Sequence, residues 1–397
     1  MTSLTDHHGK GPTSAELVAR AAALQPLLAA HAGEGELHRR LSAEVISALA
    51  DAGLFRLLKP QRFCGYDHDL QTFLTITEIL GEADGSAAWL IGVSAVGAWL
   101  TAHATGQAQE EVFGSDPDAR IAGSWHDVAG RRVDGGLIVS GRWSYTSGAL
   151  HATWANISAT VADNDAQRTE QYMCLVPAKE LQVDDTWQVI GMRATGSNTW
   201  VGDEVFVPEH RLIPMTGLGP AIDNTALAAV YRLPLMPVAM LGLAGPMLGL
   251  ANAALTTTVR AASNKAMHHT VFARQSDSVG VHLQIGQAAL ALQTARLHAH
   301  HIAQTLDRFT TQATSPTYDQ RAQMRAAFGH AAHQALKAIG IAINIHGAAA
   351  FAESNPLQRY WRDANIAARH AGFNLAVGYE VLGKSLLGVE DHISPTI

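Results

Sequence analysis

The sequence predicts an α+β protein in which two helical regions flank a central β domain. Apolar residues recur with a helical period at both ends of the chain, and the period changes to that of strands between about residues 119 and 212. Apolar residues make up 47% and charged residues 16% of the 397 residues, which is typical of a globular protein with a large core. We therefore expect an N-terminal α-helical domain over residues 13–118, a central β domain over 119–225 and a C-terminal helical bundle over 226–397.

The N-terminal region carries clear helix signals. Thr13 and Glu16 have the spacing of a capping box, and Ser42 is placed to cap a second helix that Gly53 ends. Two more helices are predicted over residues 70–83 and 86–105, the second of them almost wholly apolar. A buried helix explains that apolar stretch without any special function.

The central region has the turn chemistry of a β domain. Asp134-Gly-Gly136 supplies a hairpin turn within the strand-like run of residues 132–139. Further strands are predicted over residues 142–145, 153–161, 171–176 and 200–208.

Four long helices joined by short links are predicted for the bundle, over residues 237–262, 279–306, 319–348 and 366–387. Residues 233–251 carry no charge over 19 positions, about the length of a membrane span. Because three prolines and three glycines interrupt this segment, we expect a tightly packed core helix and no membrane association.

Charge and cysteine content exclude other classes. The net charge of −7 gives no electrostatic footprint for nucleic acid. Cys64 and Cys174 alone cannot make a disulfide framework, so we expect a cytoplasmic protein. Dinucleotide-binding, phosphate-loop, serine-hydrolase and zinc motifs are absent from the sequence. His298 and His301 share one helix face, but no third ligand is indicated, and no metal site is predicted.

Three segments carry more polar chemistry than a scaffold needs. Residues 141–154 place hydroxyl groups at the end of a strand, where they can bond the edge of a planar heterocycle. Residues 187–200 form a Gly- and Thr-rich loop that leads into a strand. Residues 358–374 bring together three arginines, Asp363 and His370 at the start of the last predicted helix, and only His370 titrates near neutral pH. Taken singly, each segment also has a purely structural explanation.

In this order, the segments resemble the acyl-CoA dehydrogenase superfamily over about residues 15–390. The resemblance rests on the loop of residues 190–197, the strand end at 205–208 and the stretch at 344–349. It implies a helical domain, a β domain and a four-helix bundle, with flavin between sheet and bundle. It also implies that Arg274, Gln284 and Gly347 bind the flavin nucleotide, which favours FAD over FMN, in a homodimer or homotetramer.

The sequence departs from the dehydrogenases at their catalytic base. One large group of them keeps a glutamate near the C-terminus, where this chain has His370 and Ala371. Residues 361–370 and 142–148 instead resemble the oxygenase components of two-component flavin monooxygenases. That branch includes phenol hydroxylases and indole hydroxylases such as that of xiamycin biosynthesis.

The branch implies a chemistry and a set of residues. Reduced FAD, or FMN, arrives from a separate NAD(P)H-dependent flavin reductase and reacts with O2 to a C4a-hydroperoxide, which hydroxylates a small aromatic substrate. His370 and Ser147 are the implied catalytic residues, with Thr146 as the alternative to Ser147. Two further sets are implied, for the flavin and for the substrate: Ser124, Trp143, Ser144, Thr146 and Ser147 for the flavin, and Trp125, His126 and His103 for the substrate.

Two alternatives stay open at this point. One is an acyl-CoA dehydrogenase that oxidises an acyl thioester with a base on another helix. The other is a non-catalytic scaffold or ligand-binding protein on the same fold.

Overall fold

The computed structural model describes residues 11–162, 169–218 and 226–389, together with residues 391, 393, 394 and 397. Ten α-helices lie within these residues: α1 (Ser14–His38), α2 (Ala43–Asp51), α3 (Leu70–Ala83), α4 (Gly85–Thr101), α5 (Gly106–Phe113), α6 (Leu235–Ala262), α7 (Val279–Gln312), α8 (Tyr318–His346), α9 (Pro356–Ala367) and α10 (Leu375–Leu386). Seven strands lie between α5 and α6: β1 (Ile121–Val133), β2 (Gly136–Thr146), β3 (Trp154–Ala162), β4 (Thr169–Pro177), β5 (Gln182–Asp184), β6 (Asn198–Pro208) and β7 (Leu212–Pro214).

The predicted caps of the N-terminal helices are present. The Thr13 hydroxyl accepts the Glu16 amide at 3.3 Å, and the Glu16 carboxylate accepts the Thr13 amide at 2.7 Å, which completes the capping box. Ser42 caps α2 in the same way. Helix α3 has its predicted bounds, but the next predicted helix ends early, at Thr101, and the short helix α5 that follows was not predicted.

The strands form one mixed sheet in the order β5-β6-β2-β1-β3-β4-β7, in which only the pair β1 and β3 is parallel among the described residues. The first half of β1 pairs with β3 and its last residues pair with β2. Between Ser124 and Val128 the register shifts, so residues 125–127 leave the regular ladder. Trp125 lies in this irregular part of the strand and is exposed.

The last predicted helix, over residues 366–387, is wrong as a single element. Helix α9 ends at Ala367, and α10 begins at Leu375 after a short 3-10 turn at Ala371–Phe373. The Asn374 side chain accepts the Val377 amide at 3.2 Å and caps α10, which fixes the break. His370 therefore lies in the connection between two helices, while Arg362 and Asp363 lie on α9.

Helix α6 is the buried core helix that its composition predicts. It is long and apolar enough to cross a membrane by length and composition, but 83% of its most apolar window is buried inside the protein. Glycines allow neighbouring backbones to approach it: a Cβ on Gly92 of α4 would lie 2.8 Å from the Gly242 carbonyl carbon, and one on Gly245 would lie 2.9 Å from the Glu78 amide nitrogen. Small residues thus bring α3 and α4 against α6.

Two hydrophobic cores result from this packing. One joins the N-terminal helices to the C-terminal bundle, and the other lies within the sheet. The division into three domains remains a prediction, and its boundary at residues 225 and 226 falls at the edge of the segment 219–225, outside the described residues.

Candidate functional site

At the end of strand β2, some side chains lie in the sheet interior and others face a cleft on the side of the helices. Tyr145 has a positive φ of 60°, and the pairing with β6 shifts between Trp143 and Thr146. Because of this bulge, Trp143 and Thr146 both point inward and are fully buried. Ser144 and Ser147 remain partly accessible.

Two predicted cofactor residues therefore belong to the interior. The Trp143 indole donates to the Ser158 carbonyl at 2.9 Å, and the Thr146 hydroxyl donates to the Trp143 carbonyl at 2.9 Å. Neither side chain is free to meet a ligand, so the structure does not support side-chain contacts from Trp143 or Thr146 to a cofactor. Ser147, and not Thr146, is the hydroxyl that reaches the cleft.

Ser147 is part of a row of hydrogen-bonded groups. The Trp89 indole N–H donates to Ser147 Oγ at 3.1 Å. Ser147 Oγ lies 2.8 Å from Ser197 Oγ, which lies 2.7 Å from Thr195 Oγ1. These contributions were not predicted from the sequence, because the apolar stretch of residues 86–105, which contains Trp89, was explained only as a buried helix and Thr195 and Ser197 were treated only as parts of a loop. The signal was the Thr-Gly-Ser run that leads into β6.

His370 occupies the connection between α9 and α10. Its Nδ1 accepts the Gly372 amide at 3.1 Å, so the neutral ring carries its proton on Nε2. Loss of solvation among the surrounding residues lowers the pKa of His370 to about 4, and the nearby Arg325 charge adds to the effect. His370 is nevertheless exposed at the surface. At neutral pH it is an N–H donor without charge.

Arg325 and Gly372 hold the His370 turn in place. The Arg325 guanidinium donates to the carbonyls of Gly372 and Ala371, the latter at 2.7 Å. A side chain at Gly372 would place its Cβ 2.6 Å from Met240 Cε, so the turn packs closely on α6. The position of His370 is thus set by α6 and α8 as well as by its own segment.

Trp89 connects the two predicted catalytic residues. Its ring meets the His370 imidazole edge to face, with centroids 6.0 Å apart, while its indole N–H bonds to Ser147. A strand end of the sheet and a turn of the bundle therefore converge on one residue of α4. This convergence is the central feature of the site.

A cavity of about 120 Å³ between the sheet and the bundle adjoins the His370 turn through Met240 and Arg325, whereas Ser147 lines a separate cavity of about 20 Å³. Trp125 from β1 lies on one wall, and the opposite wall is largely apolar and comes from α6 and α8: Leu235, Met236, Met240, Met324 and Phe328. Arg321 and Arg325 also line it, but none of the described lining residues carries a carboxylate side chain. The cavity suits an apolar molecule, and its described lining offers no Asp or Glu side chain as a base for α-proton removal.

The other predicted residues of the β domain surround the cleft entrance. The Ser124 hydroxyl donates to the Ser144 carbonyl at 2.8 Å and accepts the His126 amide at 3.3 Å. Ser124 is buried and ties β1 to β2, whereas His126 and Trp125 are exposed.

His103 is not brought to this site. Its ring nitrogens lie 3.0 Å and 2.7 Å from the carbonyl oxygens of Trp99 and Tyr231, and it does not line the cavity. Burial lowers the pKa of His103. The structure thus gives His103 a role in joining α4 to the segment that precedes α6, and not the predicted contact with a substrate.

A second polar region lies at the other end of the bundle. Arg274 is exposed and pairs with Asp277 at 2.9 Å, and Gln284 accepts the Asn344 side-chain amide at 2.6 Å. Gly347 ends α8 with a positive φ of 73°. Close to these residues, Gln275 Oε1 and His346 Nδ1 are buried without a hydrogen-bond partner among the described residues.

Asp363 binds the loop that carries Thr195 and Ser197. It is buried, and its carboxylate accepts the amide of Met192, the residue that begins the turn at Arg193–Thr195. Burial, together with the charge of Asp84, raises the pKa of Asp363 to about 7. Arg362 pairs with Glu36 at 2.5 Å, whereas Asp363 anchors the loop that contains Met192.

Comparison with known proteins gives concordant matches. The models "Acyl-CoA dehydrogenase, N-terminal domain" and "Acyl-CoA dehydrogenase, C-terminal domain" match residues 16–114 and 241–375. The chain is 31% identical, over 92% of its length and 97% of the relative's, to the flavin-dependent monooxygenase oxygenase subunit HsaA of Rhodococcus jostii. It is 30% identical to the FADH2-dependent resorcinol hydroxylase oxygenase component of a Rhizobium species, over 94% of each chain.

Solved structures agree with these relatives. The structure of XiaF from a Streptomyces species, in complex with FADH2 and glycerol, superposes with a TM-score of 0.93 and is 34% identical. The match covers 97% of this chain and 98% of XiaF.

Proposed function

This chain belongs to the flavin-dependent monooxygenase oxygenase family, within the acyl-CoA dehydrogenase superfamily, and from that premise we propose that it hydroxylates a phenol, an indole or a polycyclic aromatic compound. It is the oxygenase component of a two-component enzyme that uses reduced flavin. The observation that carries the proposal is the convergence of Ser147 and His370 on Trp89. The cavity that adjoins the His370 turn has no Asp or Glu side chain among its described lining residues.

The residues present fit a flavin nucleotide at two places. Partly accessible Ser144 and Ser147 at the end of β2 offer hydroxyls to the edge of a ring system. The second polar region offers Arg274 and Gln284, with the buried unpartnered Gln275 Oε1 beside them, to the phosphates and adenosine of FAD. This second region supports FAD over FMN. When bound, reduced flavin supplies the electrons that activate O2 for transfer of one oxygen atom.

The protein's own residues would control water and protons in this chemistry. The apolar walls from α6 and α8 exclude water, which otherwise diverts activated oxygen into H2O2. His370 presents its Nε2–H to the cleft as a neutral donor, because Nδ1 is occupied by the Gly372 amide. A hydrogen bond donated from this position would orient an oxygen acceptor and stabilise charge that develops on it, without placing a full charge in the cavity.

The substrate proposal rests on the shape and composition of the cavity. Its methionines, Phe328 and the Trp125 ring form surfaces that suit a planar aromatic molecule. We assign Trp125, and His126 beside it, to the entrance and to contacts with the substrate. One relative is named for resorcinol, which is a small phenol.

A separate reductase and a second copy of the chain are the proposed partners. The reductase, which would use NAD(P)H, follows from the oxygenase-subunit names of the relatives and from the absence of a nicotinamide motif in the sequence. Leu283, Leu290 and Leu297 recur every seven residues on α7 and are 63–64% exposed, which supports burial in a homodimer or homotetramer. Cys64 and Cys174 are both unpaired, which supports a cytoplasmic location.

The test is a substrate screen under ¹⁸O2. Protein loaded anaerobically with chemically reduced FAD is mixed with O2 and one phenol, indole or polycyclic compound at a time, and products are analysed by mass spectrometry. One added ¹⁸O atom is the expected result. The acyl-CoA arm is a control: bleaching of oxidised flavin by an acyl thioester under argon, with no oxygenated product from any aromatic, would establish the dehydrogenase alternative instead.

A further inference from the structure

The row of hydroxyls behind Ser147 has a defined direction. The Thr195 hydroxyl lies 2.7 Å from the Met192 carbonyl, which can only accept, so Thr195 donates its single proton there. Ser197 must then donate to Thr195 across their 2.7 Å contact. By the same reasoning Ser147 donates to Ser197, and the Trp89 N–H donates to Ser147.

Toward the cleft, the Ser147 hydroxyl can offer a lone pair but no proton. Its proton is committed to Ser197, and one of its two lone pairs accepts the Trp89 N–H. An atom that meets Ser147 from the cleft must therefore be a donor. We propose that Ser197 and Thr195 fix Ser147 as a hydrogen-bond acceptor and that this orientation makes the site discriminate reduced from oxidised flavin.

The chemical distinction lies at one nitrogen atom of the ring system. Reduced flavin carries a hydrogen on N5, whereas N5 of oxidised flavin has only a lone pair. An acceptor at Ser147 matches the first and leaves the second without a partner, a loss that costs more in a desolvated cleft than in water. This inference rests on the proposed function, because it assumes that flavin lies against the end of β2.

The surrounding structure keeps the direction from reversing. Thr195 and Ser197 are 1% and 4% exposed, so water does not compete for their hydroxyls. The Met192 carbonyl that ends the row is held in place because it also accepts the Trp187 indole N–H at 2.9 Å, and the Met192 amide is bound by Asp363 of α9. A Cβ on the preceding Gly191 would lie 2.8 Å from the Asp363 amide nitrogen, which shows how closely the loop packs on α9.

Reversal would require every bond of the row to turn at once. The terminal Met192 carbonyl has no proton to donate, so a reversed row leaves it and Thr195 as two facing acceptors in a buried place. Ser197 and Thr195 are positioning residues in this view, since they act on the ligand only through Ser147.

Equilibrium binding of the two redox forms tests the proposal without turnover. Dissociation constants for chemically reduced FAD and for oxidised FAD are measured under argon by tryptophan fluorescence quenching. The wild-type protein should bind reduced FAD more tightly. In Ser197→Ala the Ser147 hydroxyl is released and can turn toward N5, so oxidised FAD should bind about tenfold more tightly, the effect of one added hydrogen bond.

Two further variants separate the causes. Ser147→Ala should also reduce the difference in affinity between reduced and oxidised FAD, but it should do so by weakening the binding of reduced FAD. Ser140→Ala, on the same strand with its hydroxyl bound to surface Glu204, is the matched control and should leave both constants unchanged.

The outcomes distinguish the two levels of inference. If the wild-type protein binds neither form of FAD, the proposed function is overturned and this proposal with it. If both forms bind and Ser197→Ala leaves their ratio unchanged, the proposal alone is overturned. Neutron diffraction of deuterated crystals gives a flavin-free readout: a Ser147 deuteron that points to Ser197 supports the assignment, and one that points into the cleft refutes it.

Discussion

Replacing Asp363 by asparagine should flatten the dependence of stability on pH. The carboxyl group is 5% exposed, and burial raises its pKa from 3.8 to about 7, with a further contribution from Asp84. The folded protein therefore keeps a proton that the unfolded chain has lost between these pH values. Well below pH 4 the Asp363 carboxyl group is protonated in both the folded and the unfolded state, and its full contribution to stability is present. The free energy of unfolding then falls as the pH rises toward 7.

The size of the effect follows from the two pKa values. Each pKa unit corresponds to about 1.4 kcal/mol, so a shift from 3.8 to about 7 amounts to roughly 4 kcal/mol when both limits are passed. Between pH 5 and pH 8 the change is about 3 kcal/mol, because part of the loss has already occurred at pH 5. The carboxamide of the Asp363→Asn variant has no proton to lose, and its oxygen can still accept the Met192 amide.

The assay is urea unfolding at pH 5 and pH 8, followed by tryptophan fluorescence at one protein concentration. From pH 5 to pH 8, the free energy of unfolding of the wild-type protein should fall by about 3 kcal/mol more than that of Asp363→Asn. Asp203→Asn, at an exposed position of β6, is the control for loss of one carboxylate. Parallel pH profiles for wild type and Asp363→Asn would refute the assignment of a raised pKa to Asp363.

Three further predictions concern the site, the loop and the assembly. His370→Ala should retain FAD binding but lower the yield of hydroxylated product about 100-fold while H2O2 rises, as quantified by peroxidase assay; an unchanged product-to-peroxide ratio removes His370 from the mechanism. Gly191→Ala should destabilise the protein by about 2 kcal/mol or more, because its Cβ would meet the backbone of α9. Gly286→Ala on α7, where a Cβ has open space, is its control in thermal unfolding, and equal melting temperatures would contradict the packing argument. Leu290→Asp should shift the mass in sedimentation toward the monomer, and an unchanged mass would show that this face of α7 lies outside the interface.

Local signals predict much of the helical framework. The Thr13 capping box, the Ser42 cap and the bounds of α3 depend on neighbours within one or two turns, so they can be read from the chain. The final helix could not be read in this way. Its helical period continues through residue 370, but the Arg325 guanidinium from α8 binds the carbonyls of the break, and Met240 of α6 leaves room only for Gly372.

The order of hydroxyls at the end of β2 shows the same limit. Alternation along a regular strand cannot place both Trp143 and Thr146 inside, since they are three residues apart. The positive φ of Tyr145 inserts a bulge that does so, and it leaves Ser147 in the cleft. Trp89 belongs to the predicted buried helix, and at 7% exposure it is buried, yet its indole N–H is the link to Ser147.

The sequence by itself determined the α+β class, the order of the helical and β regions and the segments that carry Ser147 and His370, because periodicity and motifs are properties of contiguous residues. The tertiary structure decided which side chains of those segments meet. Trp89, Ser197, Asp363 and Arg325 come from separate elements. The direction of the hydrogen bonds from Trp89 through Ser147 and Ser197 to Thr195 depends on which acceptor ends the row. That acceptor, the Met192 carbonyl, is held by the Trp187 indole and by the packing of its loop against α9.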